Sequence, residues 1–272
     1  MKKIALLSLV TLVFISCGQN NTQKAQDVLQ SAEQAFAVGD LERTEAIIDS
    51  LHQTYPRELS TRREADTLLW KAIVKDITQN MPTIDSTLSQ LLKRAEEIAR
   101  DYKFEKDTRF QIVGDYEHKS LQTAQNTGRT YLKPIADEEG GFRLISTLCG
   151  QKISHTQIIA TAGVASYSTT YIDEGSLNTY DQLGVTYEVA NFSDPTAVDM
   201  AMFIGENANG KIKITLKGSS KDYTYELSER EARIIGQTAE FASLLQDVAK
   251  YQRIKQEKQR LLEVMQLRIS KE

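Results

Sequence analysis

The spacing of apolar residues near the start of the chain predicts a helical hairpin. Apolar side chains recur every three or four residues between Ala25 and Phe36, Gly39-Asp40 interrupts the pattern, and a second apolar face follows up to Pro56. The segment QAFAVGDLERTEAIIDSLHQTYP resembles the second half of a tetratricopeptide repeat (TPR), although Thr44 stands where that family prefers alanine. TPR arrays repeat about every 34 residues and need about 3 copies. The sequence holds no second copy, so we predict one TPR-like hairpin.

Two further helices are predicted between residues 58 and 102. The first covers 58–81, and Pro82 then stands in the first turn of the second, where proline is tolerated. The second helix has a regular apolar seam, formed by Ile84, Leu88, Leu91, Ala95, Ile98 and Tyr102. A seam with this spacing packs against other helices.

The pattern changes at Phe104 to short runs rich in Thr, Ile, Val, Tyr and Phe, which are separated by glycines. Short connections between such runs favour a mostly antiparallel sheet. One short helix is expected from Pro195 to Phe203. The predicted strands are 104–113, 130–135, 142–149, 153–162, 167–172, 185–192, 211–217 and 223–227.

A long amphipathic helix is predicted from Ser228 to the end of the chain. Ser228 and Glu231 have the spacing of a capping box. A helix of about 40 residues spans roughly 60 Å and needs partners for its apolar stripe. The helices at 58–102 are the expected partners, and a homodimer through residues 230–270 is the competing use. The stripe consists of Ile234, Gln237, Phe241, Leu244, Val248, Tyr251, Lys255, Lys258, Leu262, Met265 and Ile269.

These patterns together predict an α+β fold. N-terminal helical hairpins pack with the long C-terminal helix, and a mostly antiparallel β-rich domain is inserted between them. The predicted regions are 25–102 for the helices with the TPR-like hairpin, 103–227 for the β-rich domain and 228–272 for the long helix.

The first residues indicate a lipoprotein signal peptide. Lys2-Lys3 precedes an apolar run from Ile4 to Ile15, which is too short for a transmembrane helix of roughly 20 residues. Ser16-Cys17-Gly18 follows and resembles the bacterial lipobox, although Phe14 stands where leucine is usual. We therefore predict a signal peptide at 1–16, lipidation of Cys17 and a polar tether at 17–24. The alternative is a free cysteine in an uncleaved hydrophobic segment.

A lipidated Cys17 would anchor the protein in the cell envelope. Each buried methylene contributes about 0.8 kcal/mol, so two or more acyl chains hold a protein stably on a bilayer. Gly18 in place of aspartate favours sorting to the outer membrane. No run of acidic residues follows Cys17, so the sequence does not distinguish the periplasmic face of the outer membrane from its outer face.

Charge and motifs exclude several functional classes. The chain has a net charge of −4, and removal of Lys2 and Lys3 leaves 31 basic and 37 acidic residues. Such a balance lacks the basic field of a nucleic-acid-binding protein. The chain also contains no GxxxxGK[ST], GxGxxG, GxSxG or HExxH motif. No cofactor or metal is therefore predicted.

Cys149 is the one candidate nucleophile, with His155 or His118 as its base. This hypothesis of a cell-envelope hydrolase needs an activating pocket and an oxyanion donor, which spacing does not reveal. A small buried cysteine is the preferred interpretation. With Cys17 lipidated, Cys149 has no disulfide partner in the chain.

Two other features could bind ligands. The acidic segment 137–141 lacks the alternating ligands of a calcium loop, and a solvated hairpin tip is the preferred interpretation. Tyrosines are concentrated in the β-rich region. They favour half-buried sheet faces, with a carbohydrate or peptide groove as the alternative. They include Tyr167, Tyr171, Tyr180, Tyr187, Tyr223 and Tyr225.

The order of features resembles a group of uncharacterised lipoproteins of the Bacteroidota. The similar segments, besides the lipobox and the final helix, are GDL…AIIDSLHQTYP, the RREA helix at 62–65, EKDTRFQIVGDY at 105–116 and TLCG…ISHTQI at 147–158. The resemblance implies location and architecture, and it supplies no catalytic residue.

Two functional hypotheses result. The first is a non-enzymatic binding or scaffolding lipoprotein that meets a partner at the TPR-like hairpin or the β-rich domain. The second is the hydrolase that uses Cys149.

Overall fold

The computed structural model describes the backbone of residues 16–271; it leaves out the side chains of residues 16–19 and of Glu174. Residues 1–15 of the predicted signal peptide and the side chain of Cys17 therefore lie outside the described residues. Within residues 16–271, none of the helices combines the length and apolar character that crossing a bilayer requires.

The described residues form an α+β fold, as the sequence predicts. The helices are α1 Ser16–Ala37, α2 Leu41–Thr54, α3 Leu59–Ala99, α4 Pro195–Glu206 and α5 Glu229–Ile269. The strands are β1 Tyr102–Glu105, β2 Asp115–His118, β3 Tyr131–Asp137, β4 Phe142–Cys149, β5 Gln157–Ala162, β6 Ala165–Ser168, β7 Leu177–Gln182, β8 Val185–Phe192, β9 Ile212–Lys217 and β10 Tyr223–Leu227.

The chain divides into two compact units. The helical unit contains the described residues up to Ser86 and those from Ile254 onward, and the β-rich unit contains Thr87–Arg253. The helices α3 and α5 each contribute residues to both units.

The predicted hairpin forms in the helical unit. Gly39 adopts a φ of +83°, which only glycine enters without strain, and it ends α1. Asp40 then caps α2 by accepting a hydrogen bond from the amide of Arg43. Thr44 is fully buried and donates to the carbonyl of Asp40 at 2.7 Å, so its hydroxyl is satisfied. The apolar faces meet in a core of Leu29, Ala32, Ile48, Leu51 and Ala65.

The end of α5 lies antiparallel to α3 within the helical unit. Lys255 pairs with Asp85 at 2.8 Å and Lys258 with Asp76 at 3.6 Å. Further along, the guanidinium of Arg268 lies over the ring of Trp70. The two lysines that interrupt the apolar stripe thus face carboxylates of α3. Exposed pairs of this kind add little stability, but they favour one register of the two helices.

The β-rich unit contains two antiparallel sheets. Sheet A has six strands in the order β1-β2-β3-β4-β8-β7, and sheet B has four in the order β10-β9-β5-β6. The chain crosses from sheet A to sheet B through residues 150–156, which connect β4 to β5. One face of sheet A supplies Leu132, Leu144, Leu148 and Phe192 to a core shared with sheet B, α4 and the adjoining parts of α3 and α5.

The first half of α5 is buried more broadly than its predicted stripe. Residues next to the stripe, such as Ile235, Ala239 and Leu245, are buried in the core of the β-rich unit, whereas Gln237 is exposed. The sequence predicts the helices at 58–102 as the partners of the stripe. The sheets and α4 also cover the first half of α5. The apolar face of this half is therefore wider than a heptad seam.

Several predicted boundaries are wrong. Pro82 lies inside one continuous helix, α3, because Ile77, Ile84 and Leu88 keep one apolar line across it. The backbone of the predicted polar tether at 17–24 is helical and belongs to α1, which begins at Ser16. Contacts such as that of Gln26 with Thr61 hold α1 against the start of α3.

The predicted strand at 104–113 is also wrong. Asp107 accepts a hydrogen bond from the amide of Arg109 and starts a turn, so the chain leaves β1 and returns as β2. Phe110 and Ile112 are exposed in this turn. Strand β7 was not predicted, because LNTYDQ has few apolar residues.

Candidate functional site

A groove lies on the face of sheet A that points away from the shared core. Successive residues of a strand point to opposite faces, so alternate positions of β3, β4, β8 and β7 form this surface. Tyr131 pairs with Thr147 across β3 and β4, and Tyr180 pairs with Tyr187 across β7 and β8. We call this surface the tyrosine groove and define it by Tyr131, Thr147, Asn178, Tyr180, Gln182 and Tyr187.

The tyrosine groove has a volume of about 210 Å³. The segment between β2 and β3 forms one wall through Thr123, Asn126 and Thr127. The amide of Gly128 donates to the hydroxyl of Tyr187 at 3.1 Å and ties this segment to the sheet. Asn126 is buried and bonds to the carbonyls of Ser120 and Gln122, so the wall is held by its own hydrogen bonds.

Two tyrosine rings stack in the groove. The rings of Tyr180 and Tyr187 are nearly parallel, with an interplanar angle of 14° and centroids 5.4 Å apart. Tyr187 is buried, whereas Tyr180 keeps 38 % of its surface exposed. Partial burial raises the pKa of Tyr180, and the nearby Tyr131, Tyr187 and Cys149 raise it further. The hydroxyl therefore stays neutral across physiological pH.

Strand β7 supplies two amide side chains on either side of Tyr180. Asn178, Tyr180 and Gln182 alternate along the strand, so all three point to the groove face. Their side chains form no hydrogen bond with any residue that the structure describes. Each amide can donate and accept, so this edge of the groove has free capacity for a ligand.

The charged groups near the groove are paired. Lys133 contacts Glu117 at 2.9 Å, and both side chains are largely buried. Arg129 lies over the ring of Tyr131 and contacts Glu231 at 2.6 Å. The groove thus offers aromatic, amide and hydroxyl groups to a ligand. The charged residues named here, Lys133 and Arg129, are each paired with a carboxylate.

The structure does not bring Cys149 to either candidate histidine. Cys149 is half-buried on the groove face of β4, where its strand partner is Tyr187. His155 contacts Ser146, which points to the opposite face of the same strand. His118 belongs to β2, and β3 separates β2 from β4. The sequence analysis prefers a small buried cysteine, whereas Cys149 is only half-buried.

His155 belongs instead to a hydrogen-bonded chain with Ser146 and Glu188. Ser146 Oγ lies 2.5 Å from Nε2 of His155, and Nδ1 of His155 contacts a carboxylate oxygen of Glu188. Burial lowers the pKa of His155, although Glu188 opposes this effect. A neutral His155 with its proton on Nδ1 accepts a hydrogen bond from the Ser146 hydroxyl at Nε2 and donates one from Nδ1 to Glu188.

Glu188 is ionised by its surroundings. Burial raises its pKa, but hydrogen bonds from the backbone and side chain of His155 and from the amide of Ser154 outweigh burial, so the pKa is lowered overall. The amide of Ile153 donates to the same carboxylate at 3.1 Å. Glu188 therefore holds the crossover between the two sheets at 153–155.

The order serine–histidine–carboxylate is the order of a hydrolase triad, but substrate access is missing. Ser146, His155 and Glu188 each have 0 % of their surface exposed. A nucleophile must reach a substrate carbonyl and needs an oxyanion donor beside it. We interpret the hydrogen bonds among Ser146, His155 and Glu188 as a structural network of the core. No sequence pattern marks Ser146 or Glu188, because only the fold brings these two residues to His155.

The acidic segment 137–141 forms the tip of the β3–β4 hairpin, as predicted, with Glu139 and Gly141 exposed and Gly140 packed against α5. Asp137 accepts hydrogen bonds from the amides of Glu139 and Gly141, and Glu138 pairs with Lys106. Gly140 lies so close to the backbone of α5 at Gln246 that a Cβ would clash. These carboxylates therefore serve the turn and its packing. No cluster of metal-ligating side chains is found in the described part of the chain.

The other tyrosines named from the sequence lie elsewhere in the β-rich unit. Tyr167 donates to Asp199, Tyr171 is exposed, and Tyr223 and Tyr225 pack against the core. Tyr180 and Tyr187 belong to the groove.

Comparisons with protein families, curated proteins and solved structures find no match to this chain.

Proposed function

We propose that this protein is a lipid-anchored binding protein of the cell envelope that takes a ligand in the tyrosine groove. The observation that carries the proposal is the set of unpartnered side chains on β7 beside the stacked pair of Tyr180 and Tyr187. Ligand sites are concave, and they combine aromatic walls with a few polar groups. The groove has this composition, and its walls are held by internal hydrogen bonds.

We favour the groove over the TPR-like hairpin as the binding surface. Leu29, Ile48 and Leu51 are buried against each other, so the apolar faces of the hairpin serve its own core. The hairpin stays a second place for a protein partner.

The proposed anchor is the acylated Cys17, with the protein at the outer membrane. The sequence 14–18 supports this part of the proposal. Labelled palmitate should enter the wild-type protein and not a Cys17→Ala variant, and only the wild type should sediment with outer membranes. Equal labelling of both would refute the anchor.

Binding is tested by NMR of the mature protein with 13C-labelled tyrosine rings. Soluble glycan, peptide and lipid fractions of the envelope are added in turn to the wild type and to an Asn178→Ala/Gln182→Ala variant. We expect one fraction to shift the signals of Tyr180 and Tyr187 in the wild type only. Tyr171→Ala is the matched control, because Tyr171 is exposed and outside the groove. Unchanged groove signals with every fraction would refute this function.

The hydrolase that uses Cys149 is the alternative. It requires a base beside the thiol, and the positions of His155 and His118 give it no support.

A further inference from the structure

We infer that the tyrosine groove recognises one uncharged sugar ring. This inference rests on the proposed function and names the chemical class of its ligand. Four features of the groove support it: an aromatic platform, two flanking amides, paired charges and a small volume.

The platform is Tyr180. Its stacking on Tyr187 fixes the ring, so little side-chain entropy is lost when a ligand covers it. Its exposed part is an apolar surface with a polar hydroxyl at the edge. A sugar ring has C–H groups on its faces and hydroxyls around its rim, and it matches such a surface.

The amides of Asn178 and Gln182 flank the platform. Same-face neighbours on a strand are separated by roughly 6.6 Å, so the two amides stand on opposite sides of the Tyr180 ring. Each amide side chain can both donate and accept hydrogen bonds, and so can each hydroxyl of a sugar. A ligand that stacks on Tyr180 would therefore lie between the two amides, each roughly 6.6 Å along the strand from Tyr180.

The paired charges argue for a neutral ligand. Lys133 is neutralised by Glu117, and Arg129 by Glu231. A phosphate or carboxylate on the ligand would meet no free cation among these residues, and it would lose hydration without a partner. A ligand cation would likewise meet no free carboxylate.

The volume limits the ligand to one ring. About 210 Å³ lies below the roughly 300–1,000 Å³ of sites for drug-sized molecules. A longer glycan can bind only with one residue in the groove and the remainder outside it.

A peptide is the competing ligand class. Strand β7 is an edge of sheet A, and a peptide could add a strand to its free backbone. An added peptide strand would bind to the backbone of β7. The groups of β7 that have no hydrogen-bond partner in the groove are instead the side chains of Asn178, Tyr180 and Gln182. The side-chain arrangement therefore favours the sugar.

The test is saturation-transfer NMR on the mature protein with defined probes. These are the methyl glycosides of glucose, galactose, mannose and N-acetylglucosamine, with glucuronate as a charged sugar and tetra-alanine as a peptide. We expect saturable binding of at least one neutral glycoside, weaker binding of glucuronate and none of tetra-alanine.

Variants locate the binding. Tyr180→Ala should weaken the bound glycoside about tenfold, whereas Tyr180→Phe keeps the platform and should retain binding. Asn178→Ala/Gln182→Ala should also weaken it, and Tyr171→Ala should leave it unchanged. All four changes are at exposed positions, and circular dichroism checks each fold.

Two outcomes would overturn the inference. In the first, an envelope fraction shifts the signals of the groove tyrosines, but no neutral glycoside binds. The groove then binds a ligand of another class, and the proposed binding function stands. The second is binding that Tyr180→Ala and the double variant leave intact. If no envelope fraction shifts the groove tyrosines either, the proposed function fails as well.

Discussion

At the scale of single residues, Glu188 shows how a buried charge is tolerated. Its two oxygens accept hydrogen bonds from the amides of Ile153, Ser154 and His155 and from the imidazole of His155. A buried carboxylate without such donors would be strongly destabilising. With them, it holds the crossover at 153–155 against β8 and fixes where β5 starts.

Glu188→Gln should therefore cost far more stability than Ser146→Ala. The glutamine amide would turn an NH2 group toward donors, and we expect a loss of about 3–5 kcal/mol in the free energy of unfolding. Ser146→Ala removes one hydrogen bond and should cost about 1 kcal/mol. Urea unfolding measures both. Equal losses would contradict the central role of Glu188.

Stability should fall as the pH is lowered. The pKa of His155 is below its ordinary value in the folded state, so the unfolded chain binds more protons below about pH 6.5. The pKa of Glu188 is also lowered, so a second loss follows below about pH 4.3. Thermal unfolding between about pH 7 and about pH 3 tests both steps. Burial also lowers the pKa of His118, so His155→Gln should reduce the first step without removing it. An unchanged slope would show that His155 does not contribute.

Ser146 should not react with an active-site serine probe. The serine–histidine–carboxylate chain is enclosed, so a fluorophosphonate cannot approach Oγ in the native protein. Mass spectrometry of the treated protein should find Ser146 unmodified, and unmodified again after mild heating below the unfolding transition. Stoichiometric labelling of Ser146 in the native state would mean that the core opens to substrates.

At the scale of elements, two glycines set the contact of α4 with α5. A Cβ on Gly236 would lie 2.6 Å from the Cα of Gly205, so the two backbones touch. Glycine inside a helix costs about 1 kcal/mol relative to alanine. That cost is offset here, because no other residue lets the helices approach so closely.

Gly236→Ala should accordingly destabilise the protein despite its better helix propensity. The gain is at most about 1 kcal/mol, and overpacking costs about 1–3 kcal/mol, so we expect a net loss. Gly175→Ala is the matched control, since a Cβ there meets no atom within 4 Å. Urea unfolding compares the two. A stabilised Gly236→Ala would show that α4 and α5 can separate at little cost.

At the scale of the whole molecule, the seam of α5 is used inside the chain. Phe241, Leu244 and Val248 are buried in the β-rich unit, and Met265 is buried in the helical unit. A homodimer through residues 230–270 would have to share these side chains. The apolar residues of α5 that stay exposed are Leu261, Val264 and Leu267.

The chain from Gly18 onward should therefore be a monomer in solution. Light scattering after size exclusion measures the mass, and the expected value is that of one chain at micromolar concentration. A dimer that Leu261→Gln/Val264→Gln/Leu267→Gln abolishes would instead assign these exposed residues to an interface. A dimer that survives this change would indicate another surface.

The sequence determined the elements whose pattern is local. The hairpin around Gly39-Asp40, the strands 142–149 and 185–192 and the helix after Ser228 all appear as predicted. Each has a regular apolar period between clear end signals, and such signals act within a few residues. The prediction that Cys17 is lipidated also rests on a local signal, the sequence at residues 14–18.

Tertiary structure alone decided the groove and the buried network. Strand β7 is an edge with polar side chains, so its sequence lacks the apolar alternation that marks strands, and only its pairing with β8 places Asn178 and Gln182 beside Tyr187. Ser146, His155 and Glu188 come from β4, the crossover and β8. Their contacts depend on sheet register and on the path between two sheets, and a one-residue shift in register would turn each strand residue to the opposite face.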